Sequence, residues 1–261
     1  QTPTFTDGYE GPDGYEGFAP RAKLSKDLTP AAFLAEETAK FIANHSTTNP
    51  GRPFLIFANF FEPHPPYTGP LNGIYSPDDI EVGPSFLKRP KNGSLINQLR
   101  ADYYLAGNLN PLGVKGGDIH DTTTKEGWQV LRAQYFANVT LVDWAVGKIL
   151  EALNRSGLID ETIVVFTSEH GEMAGDHGML EKRSLYEEAS RVPLMVKVPW
   201  LSVDKSPVRG NFGQVDLVPT LLDLLDEPVT NKLDGISRLG IFHDSSKVLD
   251  DDVFLQWNGI G

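Results

Sequence analysis

Between Thr162 and Glu187 the chain reads TIVVFTSEHGEMAGDHGMLEKRSLYE, and this stretch limits the folds open to it. Thr162 to Thr167 is β-branched or apolar at nearly every position. That predicts a strand buried on both faces, as in a parallel sheet. The run stops at Ser168-Glu169-His170-Gly171-Glu172, which sets two carboxylates and an imidazole at the carboxyl end of the strand. Open α/β sheets place their ligands there. Asp176 and His177 follow in a second glycine-flanked cluster, and then Lys182.

An acid beside a His supplies oxygen and nitrogen ligands to one metal ion. A lysine a dozen residues on can neutralise an anionic substrate held by that metal. The plain alternative is a strand running into a polar, solvated loop, and a Glu-His pair alone does not exclude it. The density argues against it: six ionisable residues, Glu169, His170, Glu172, Asp176, His177 and Lys182, fall within fourteen positions between two apolar runs.

A second constellation lies upstream. Pro53 to Phe60 (PFLIFANF) predicts another buried strand, ending in Phe61-Glu62-Pro63-His64-Pro65-Pro66-Tyr67. A His held between prolines is rigid, because each proline fixes its own φ and restricts its neighbour. Such a His suits general acid work or the binding of an anionic oxygen; a loop His bonded to backbone is the alternative.

The elements between these strands follow from local signals. Thr29-Pro30 predicts a helix start, with Phe33, Leu34, Phe41 and Ile42 on its apolar face and Asn49-Pro50-Gly51 at its end. Residues 68 to 124 are rich in Gly, Pro, Asn and Asp and read as a pocket-forming insertion, with a short helix at Leu99 to Leu105 and a solvated loop His at His120. Lys125 to Asn154 carries Trp128, Leu131, Tyr135, Val139, Val142, Val146, Ile149 and Leu153 at three- and four-residue steps, the strongest helical signal. Helix, Ser156-Gly157 turn and strand form an αβ unit. Ser184 to Ser190 predicts a short helix, Val192 to Val198 a strand, and Gln214 to Leu225 a helix capped by Asp216.

Charge and composition remove whole classes of function. Lys plus Arg number 23 against 35 Asp plus Glu, a formal net charge of −12, which argues against a nucleic-acid partner. There is no cysteine, hence no disulfide framework and no thiol chemistry. The longest apolar runs are too short for a membrane span. Four Asn-x-Ser/Thr sequons occur, at Asn44, Asn92, Asn138 and Asn154, and Asn138 falls on a predicted helix.

SEHGEMAGDHGMLEKRSLYEEASRVPLMVKVP resembles the SDHGE, GDHG, K, YE and RVPL series of the sulfatase family, within the alkaline phosphatase superfamily. The upstream PHPPY is similar to that family's P-H-x-P-Y. Val215-Asp216-Leu217-Val218-Pro219-Thr220-Leu221-Leu222-Asp223-Leu224 is similar to its VD-x-x-PT-LLDL helix, and Leu233-Asp234-Gly235-Ile236-Ser237 to its L-DG-x-S turn. The resemblance covers about residues 28 to 261.

It implies an α/β fold with a mostly parallel central sheet flanked by helices, incomplete at both ends. Residues 1–28, rich in Gly, Pro, Asp and Tyr, read as an extended N-terminal segment; 29–245 is then the central and C-terminal part of the catalytic domain, and 246–261 the start of a smaller subdomain. It also implies hydrolysis of a small-molecule or carbohydrate sulfate ester, with Ca2+ holding the sulfate. His170 matches a metal ligand, and Glu169 stands where the family has Asp. His64 and Lys182 match catalytic and substrate-binding residues, and His177 is a candidate for the pocket lining. In the family a Cys or Ser of a C/S-x-P-x-R motif becomes the formylglycine nucleophile, beside an Asp-Asp pair of metal ligands. No C/S-x-P-x-R motif with an adjoining Asp-Asp pair occurs in these 261 residues; both are expected in a preceding part of a longer parent, and the bare chain is expected to be inactive. Export to the periplasm or outside the cell is the expected placement. Two alternatives stand: a phosphonate monoester or phosphodiester hydrolase of the same superfamily, and a non-catalytic sulfatase-like binding module.

Overall fold

The computed structural model describes residues 25–65, 67, 69–108, 122–201, 207–244, 248–249 and 252–256. His120, most of the 1–28 leader and most of 246–261 lie outside them. The chain divides into two compact units, 1–159 with 168–192, and 160–167 with 193–261.

The first unit is built on two helices. α1 (Pro30–Thr48) starts where the sequence predicts: the Thr29 hydroxyl accepts the Ala32 N–H at 3.1 Å, and Pro30 sits at the first position. Its buried face is the predicted one at Ile42 but not at the phenylalanines. Ala31, Ala32, Ala35, Thr38 and Ile42 are buried, while Phe33 and Phe41 are 56% and 46% exposed. The reason lies in the partner helix, α3 (Lys125–Arg155), which is capped by Thr124 and follows the expected bounds to within a residue. It presents Leu141 and Ala145 to Ala31 and Ala35. Small side chains let the two backbones approach closely, and a Phe on that seam would hold them apart. Asn138 of α3 is buried, so this sequon is closed to solvent.

α2 (Leu95–Leu105) begins four residues before the predicted helix, because the Ser94 hydroxyl caps it by accepting the Asn97 N–H. The weakly periodic region around it supplies part of the core. Phe86, Ala101 and Tyr104 pack with Tyr67, Trp128, Leu131, Met173, Met179 and Leu180 in one buried cluster. Trp128 is fully buried and its indole N–H donates to the Thr122 carbonyl at 2.7 Å, so its area is gained without an orphaned donor. The unit closes with α4 (Glu187–Ser190), shorter than predicted.

Pro53 to Phe60, predicted as a buried strand, runs extended without strand pairing, and its side chains alternate. Leu55 and Phe57 are 82% and 79% exposed, while Phe60 packs against the α1–α3 seam. An uninterrupted apolar run does not record how many neighbours a strand will find.

In the second unit, β1 (Val164–Thr167) pairs with β2 (Leu194–Lys197) in antiparallel register, Val165 opposite Val196 and Phe166 opposite Met195. The expected parallel pairing and two-sided burial of Thr162–Thr167 are therefore corrected: β1 is half-buried. β-branched composition predicts a strand without fixing the direction of its partner. β3 (Arg209–Gly210) and β4 (Val248–Leu249) form a short parallel pair. α5 (Leu217–Leu224) is preceded by a 3-10 turn at Gln214–Asp216. Asp216 does not cap it. Its carboxylate instead accepts the Ile236 N–H at 2.9 Å and the Arg238 Nε–H at 2.8 Å, tying the 235–238 turn to the helix start. α6 (Gly240–His243) follows that turn. Among the described residues no helix is long and apolar enough to cross a membrane.

Candidate active site

The segment 168–192 folds wholly within the first unit. Between Glu172 and Lys182 it coils tightly: Ala174, Gly175, His177, Gly178 and Glu181 all have positive φ. Three of these are not glycine, and left-handed backbone at such residues is strain held in place by surrounding contacts. The anchor is Glu172. Its carboxylate accepts the backbone N–H groups of Ala174 and Glu181, closing the loop on itself. Burial pushes the Glu172 carboxyl above its usual range, and these N–H bonds pull it partly back. The buried Tyr67 hydroxyl leans on the same carboxyl without reaching ordinary hydrogen-bond geometry. Burial next to this acid raises the Tyr67 phenol well above its ordinary value and Tyr135 to about 12, so both stay protonated.

The loop delivers Lys182 to His64. Lys182 Nζ lies 3.2 Å from His64 Nε2, across 118 positions of sequence. His64 Nδ1 lies 2.7 Å from the Pro65 carbonyl. A carbonyl only accepts, so Nδ1 carries the hydrogen and Nε2 is a lone pair that accepts from the lysine. The electrostatics agree. Burial, then the nearby Lys182 charge, lowers the His64 pKa, against an upward pull from the Pro65 carbonyl. The pair is therefore a neutral imidazole and an ammonium. The Pro65 carbonyl selects the His64 tautomer. Tyr67, three residues on, is buried in the core beneath it.

His170 Nδ1 lies 2.8 Å from the Gly171 carbonyl and Nε2 lies 2.9 Å from Glu169 Oε1, a contact that a proton on Nε2 makes an ion pair and that a metal ion would replace. Ligand bonds of about 2.0–2.5 Å set neighbouring ligands about 3 Å apart, so Glu169 and His170 fit two adjacent positions of one metal. The extra methylene of Glu169 does not prevent this, since the carboxylate is 84% exposed and free to adjust. Among the described residues no group of three or more His, Asp or Glu gathers to complete a metal shell.

Gly171 secures His170. Its N–H donates to the Ala189 carbonyl at 2.8 Å, and a Cβ there would stand 2.0 Å from the Glu188 carbonyl oxygen. Backbone cannot yield that distance cheaply. Gly171→Ala is expected to cost about 3 kcal/mol of stability and to weaken divalent-cation binding by about 10-fold by misplacing His170. Thermal melts and cation titrations check both, and a variant melting with the wild type would refute the packing argument.

His177 and Asp176 part company with the pair above. Asp176 is buried and structural, with Arg132 at 2.9 Å and the Ser85 hydroxyl at 2.6 Å. His177 stacks on Tyr186, ring centroids 4.0 Å apart, and lines a separate cleft with Ser85, Lys88, Arg89 and Lys91. The sequence reading expects it in the substrate pocket with His64 and Lys182; among the described residues no bond joins it to either, and it lines this other cleft. Reading the sequence alone missed Lys88, Arg89, Lys91 and Tyr186; the signal was KRPK at 88–91, a cationic run in an acidic chain.

The sulfatase family model matches residues 4–227. Arylsulfatase K of Gallus gallus is 33% identical over 204 residues, covering 75% of this chain and 36% of that protein. The multifunctional alkaline phosphatase superfamily protein PehA of Trinickia caryophylli is 26% identical over 222 residues, 84% of this chain and 42% of its own. Among solved structures, the phosphonate monoester hydrolase of Agrobacterium radiobacter superposes with a TM-score of 0.65 at 30% identity, covering 86% of this chain and 44% of that one. The fold is thus the alkaline-phosphatase-like α/β fold expected from sequence. The chain spans less than half the length of these relatives. With the Lys182–His64 pair, the Glu169–His170 pair and the coiled loop between them in place, the chain belongs to the sulfatase family.

Proposed function

We propose that the protein hydrolyses a sulfate monoester. The observation that carries this is the Lys182–His64 contact: two segments far apart in sequence converge to hold an ammonium against a neutral imidazole. Cleavage of a sulfate ester leaves negative charge on the departing oxygen as the S–O bond breaks. A fixed cation beside that oxygen stabilises the transition state more than the ground state. Lys182 carries the mobile proton of the pair, and His64 Nε2 holds its ammonium in one orientation. Lys182 therefore faces the leaving oxygen as charge stabiliser and proton donor. His64 orients it by accepting from the ammonium through Nε2.

Glu169 and His170 would hold the divalent ion, which we assign as Ca2+ from the hard carboxylate beside it and from the family. Bound there, it supplies charge neutralisation on the non-bridging sulfate oxygens. The nucleophile is assigned by resemblance to a formylglycine outside these 261 residues.

One observation favours a second reading. The structural likeness to a phosphonate monoester hydrolase is as close as the sequence likeness to an arylsulfatase. The deciding experiment assays the full-length protein with 4-nitrophenyl sulfate and with 4-nitrophenyl phenylphosphonate. A kcat/KM at least about 10-fold higher for the sulfate, a difference of about 1.4 kcal/mol in transition-state binding, is the expected result. The reverse ratio would make the phosphonate reading correct. No turnover of either would leave the non-catalytic binding module.

A further inference from the structure

We propose that Tyr67 is a positioning residue for the Lys182–His64 pair: its buried hydroxyl, set against Glu172, fixes the spacing between the segment that carries His64 and the loop that carries Lys182. The inference rests on the sulfate-ester reading above for the chemistry of the pair, and deepens it by naming what holds the pair in register.

Connectivity carries the argument first. The Ala174 and Glu181 N–H groups reach the same Glu172 oxygen, Oε1. Glu181 directly precedes Lys182, so a movement of the Glu172 carboxyl is passed to the lysine. Tyr67 stands three residues after His64 in a proline-stiffened stretch. At the other end of that stretch the His64 N–H donates to the Phe61 carbonyl at 3.1 Å, and the two rings lie with centroids 4.7 Å apart. A movement of Tyr67 is therefore passed to His64. Phenol and carboxyl are where the two segments meet in the core. Of the groups that pull the Glu172 carboxyl back toward its usual range, the Tyr67 hydroxyl comes first, ahead of the two N–H groups. The hydroxyl thus limits how far Glu172, and with it Lys182, can move from the corner that holds His64.

Packing alone does not call for this hydroxyl. The Tyr67 ring is buried in the cluster with Trp128, Leu131 and Met173, and meets Tyr135 edge-on with centroids 5.6 Å apart. Phenylalanine would make the same ring contacts. Among the described residues the Tyr67 oxygen is buried without a partner in ordinary hydrogen-bond geometry. A buried hydroxyl left in that state costs stability. A polar group kept where it weakens the fold, beside an acid that shapes the active loop, fits a site where geometry serves function at the expense of stability.

The test is Tyr67→Phe in the full-length protein, which removes one oxygen and keeps the ring. The first readout is the His64 pKa, followed by NMR of the imidazole with no substrate present. The charged and titratable groups acting on that ring are Lys182, Glu181 and His170, beside burial and the Pro65 carbonyl. The Lys182 charge depresses the pKa, so a lysine that drifts from the ring lets it rise. Tyr67→Phe is expected to raise it, and to leave it unmoved when made in Lys182→Ala. The second readout is turnover of 4-nitrophenyl sulfate: kcat is expected to fall about 10- to 100-fold, the cost of a misplacement of up to about 1 Å, with little change in KM. The melting temperature is expected to equal or exceed the wild type's, because an unsatisfied hydroxyl has left the core; a merely structural tyrosine would lose stability and activity together. An unmoved His64 pKa, a shift that persists without Lys182, or an unchanged kcat on a sulfate ester that the protein cleaves overturns the proposal. If the pKa behaves as expected but no sulfate ester is cleaved, the proposed reaction fails and the positioning role stands. If 4-nitrophenyl sulfate is cleaved and neither kcat nor the pKa responds to Tyr67→Phe, the reaction stands and the positioning role fails.

Discussion

Lys182→Ala is expected to lower kcat for a sulfate monoester by about 10²- to 10⁴-fold, with a much smaller change in KM. The split follows from the geometry. The ammonium is held against His64 before substrate arrives, and its strongest interaction comes with the charge that grows on the leaving oxygen. Loss of an interaction made mainly in the transition state appears in kcat. A lysine that only attracted the substrate would raise KM and spare kcat, and that outcome would remove Lys182 from the chemistry. An aryl ester with a very acidic phenol should lose least, because its leaving oxygen needs least help.

The same variant carries a pH signature. Burial and the Lys182 charge both depress the His64 pKa, and the Pro65 carbonyl works against them. A depressed pKa keeps the imidazole neutral above that value, so activity that needs a neutral His64 falls only as pH drops through it. Removing the lysine removes the larger of the two charges that depress it, so the His64 pKa rises. The acid limb of the residual kcat/KM profile should therefore move to higher pH in Lys182→Ala. His64→Ala should erase that limb instead of shifting it. An unmoved limb in Lys182→Ala would mean that the two groups do not sense one another in solution.

The fold class was legible in the sequence, as was the meeting of two of the candidate site residues, while the packing was not. His64, Glu169 and His170 announce themselves because they follow apolar runs, and Lys182 because it falls in the same dense ionisable segment; the structure brings Lys182 against His64 and Glu169 against His170. The packing did not show in the same way. Phe33 and Phe41 look like the core of α1, but the seam with α3 is made by alanines, which carry little hydrophobic signal and act by letting backbones approach. Pairing was hidden for a different reason. Thr162 to Thr167 would read the same in a parallel or an antiparallel sheet, and its partner lies about thirty positions away. The Asp216 reading failed because the predicted cap bonds across 20 positions to the Ile236 N–H, a contact no local pattern records. Glu172 is intermediate: its charge is visible in sequence, while its work of closing the loop on the N–H groups of Ala174 and Glu181 is not.

Asp176→Ala is expected to be among the most destabilising single changes in the chain, at about 3–5 kcal/mol, the usual cost of orphaning a buried charge. Asp176 and Arg132 are buried together, with side chains 10% and 14% exposed. The carboxylate also takes the Ser85 hydroxyl at 2.6 Å, and its backbone bridges to Phe86. One acid thus joins the Ser85–Phe86 segment, α3 and the coiled loop that places His177 and Lys182. Without it, Arg132 keeps only the Ala174 carbonyl at 3.2 Å and the Phe86 ring 5.5 Å from its guanidinium. Asp176→Asn preserves an acceptor for Ser85 and should cost less. Arg132→Met with Asp176→Ala removes both charges and should cost less than the sum of the single changes, because no ion is left unpaired. Denaturant titrations of the wild type, Asp176→Ala, Arg132→Met and the double variant measure the coupling. A single-variant cost below about 1 kcal/mol, the range of an exposed ion pair, would show that water reaches Arg132, and the loop would then owe its shape to Glu172 alone.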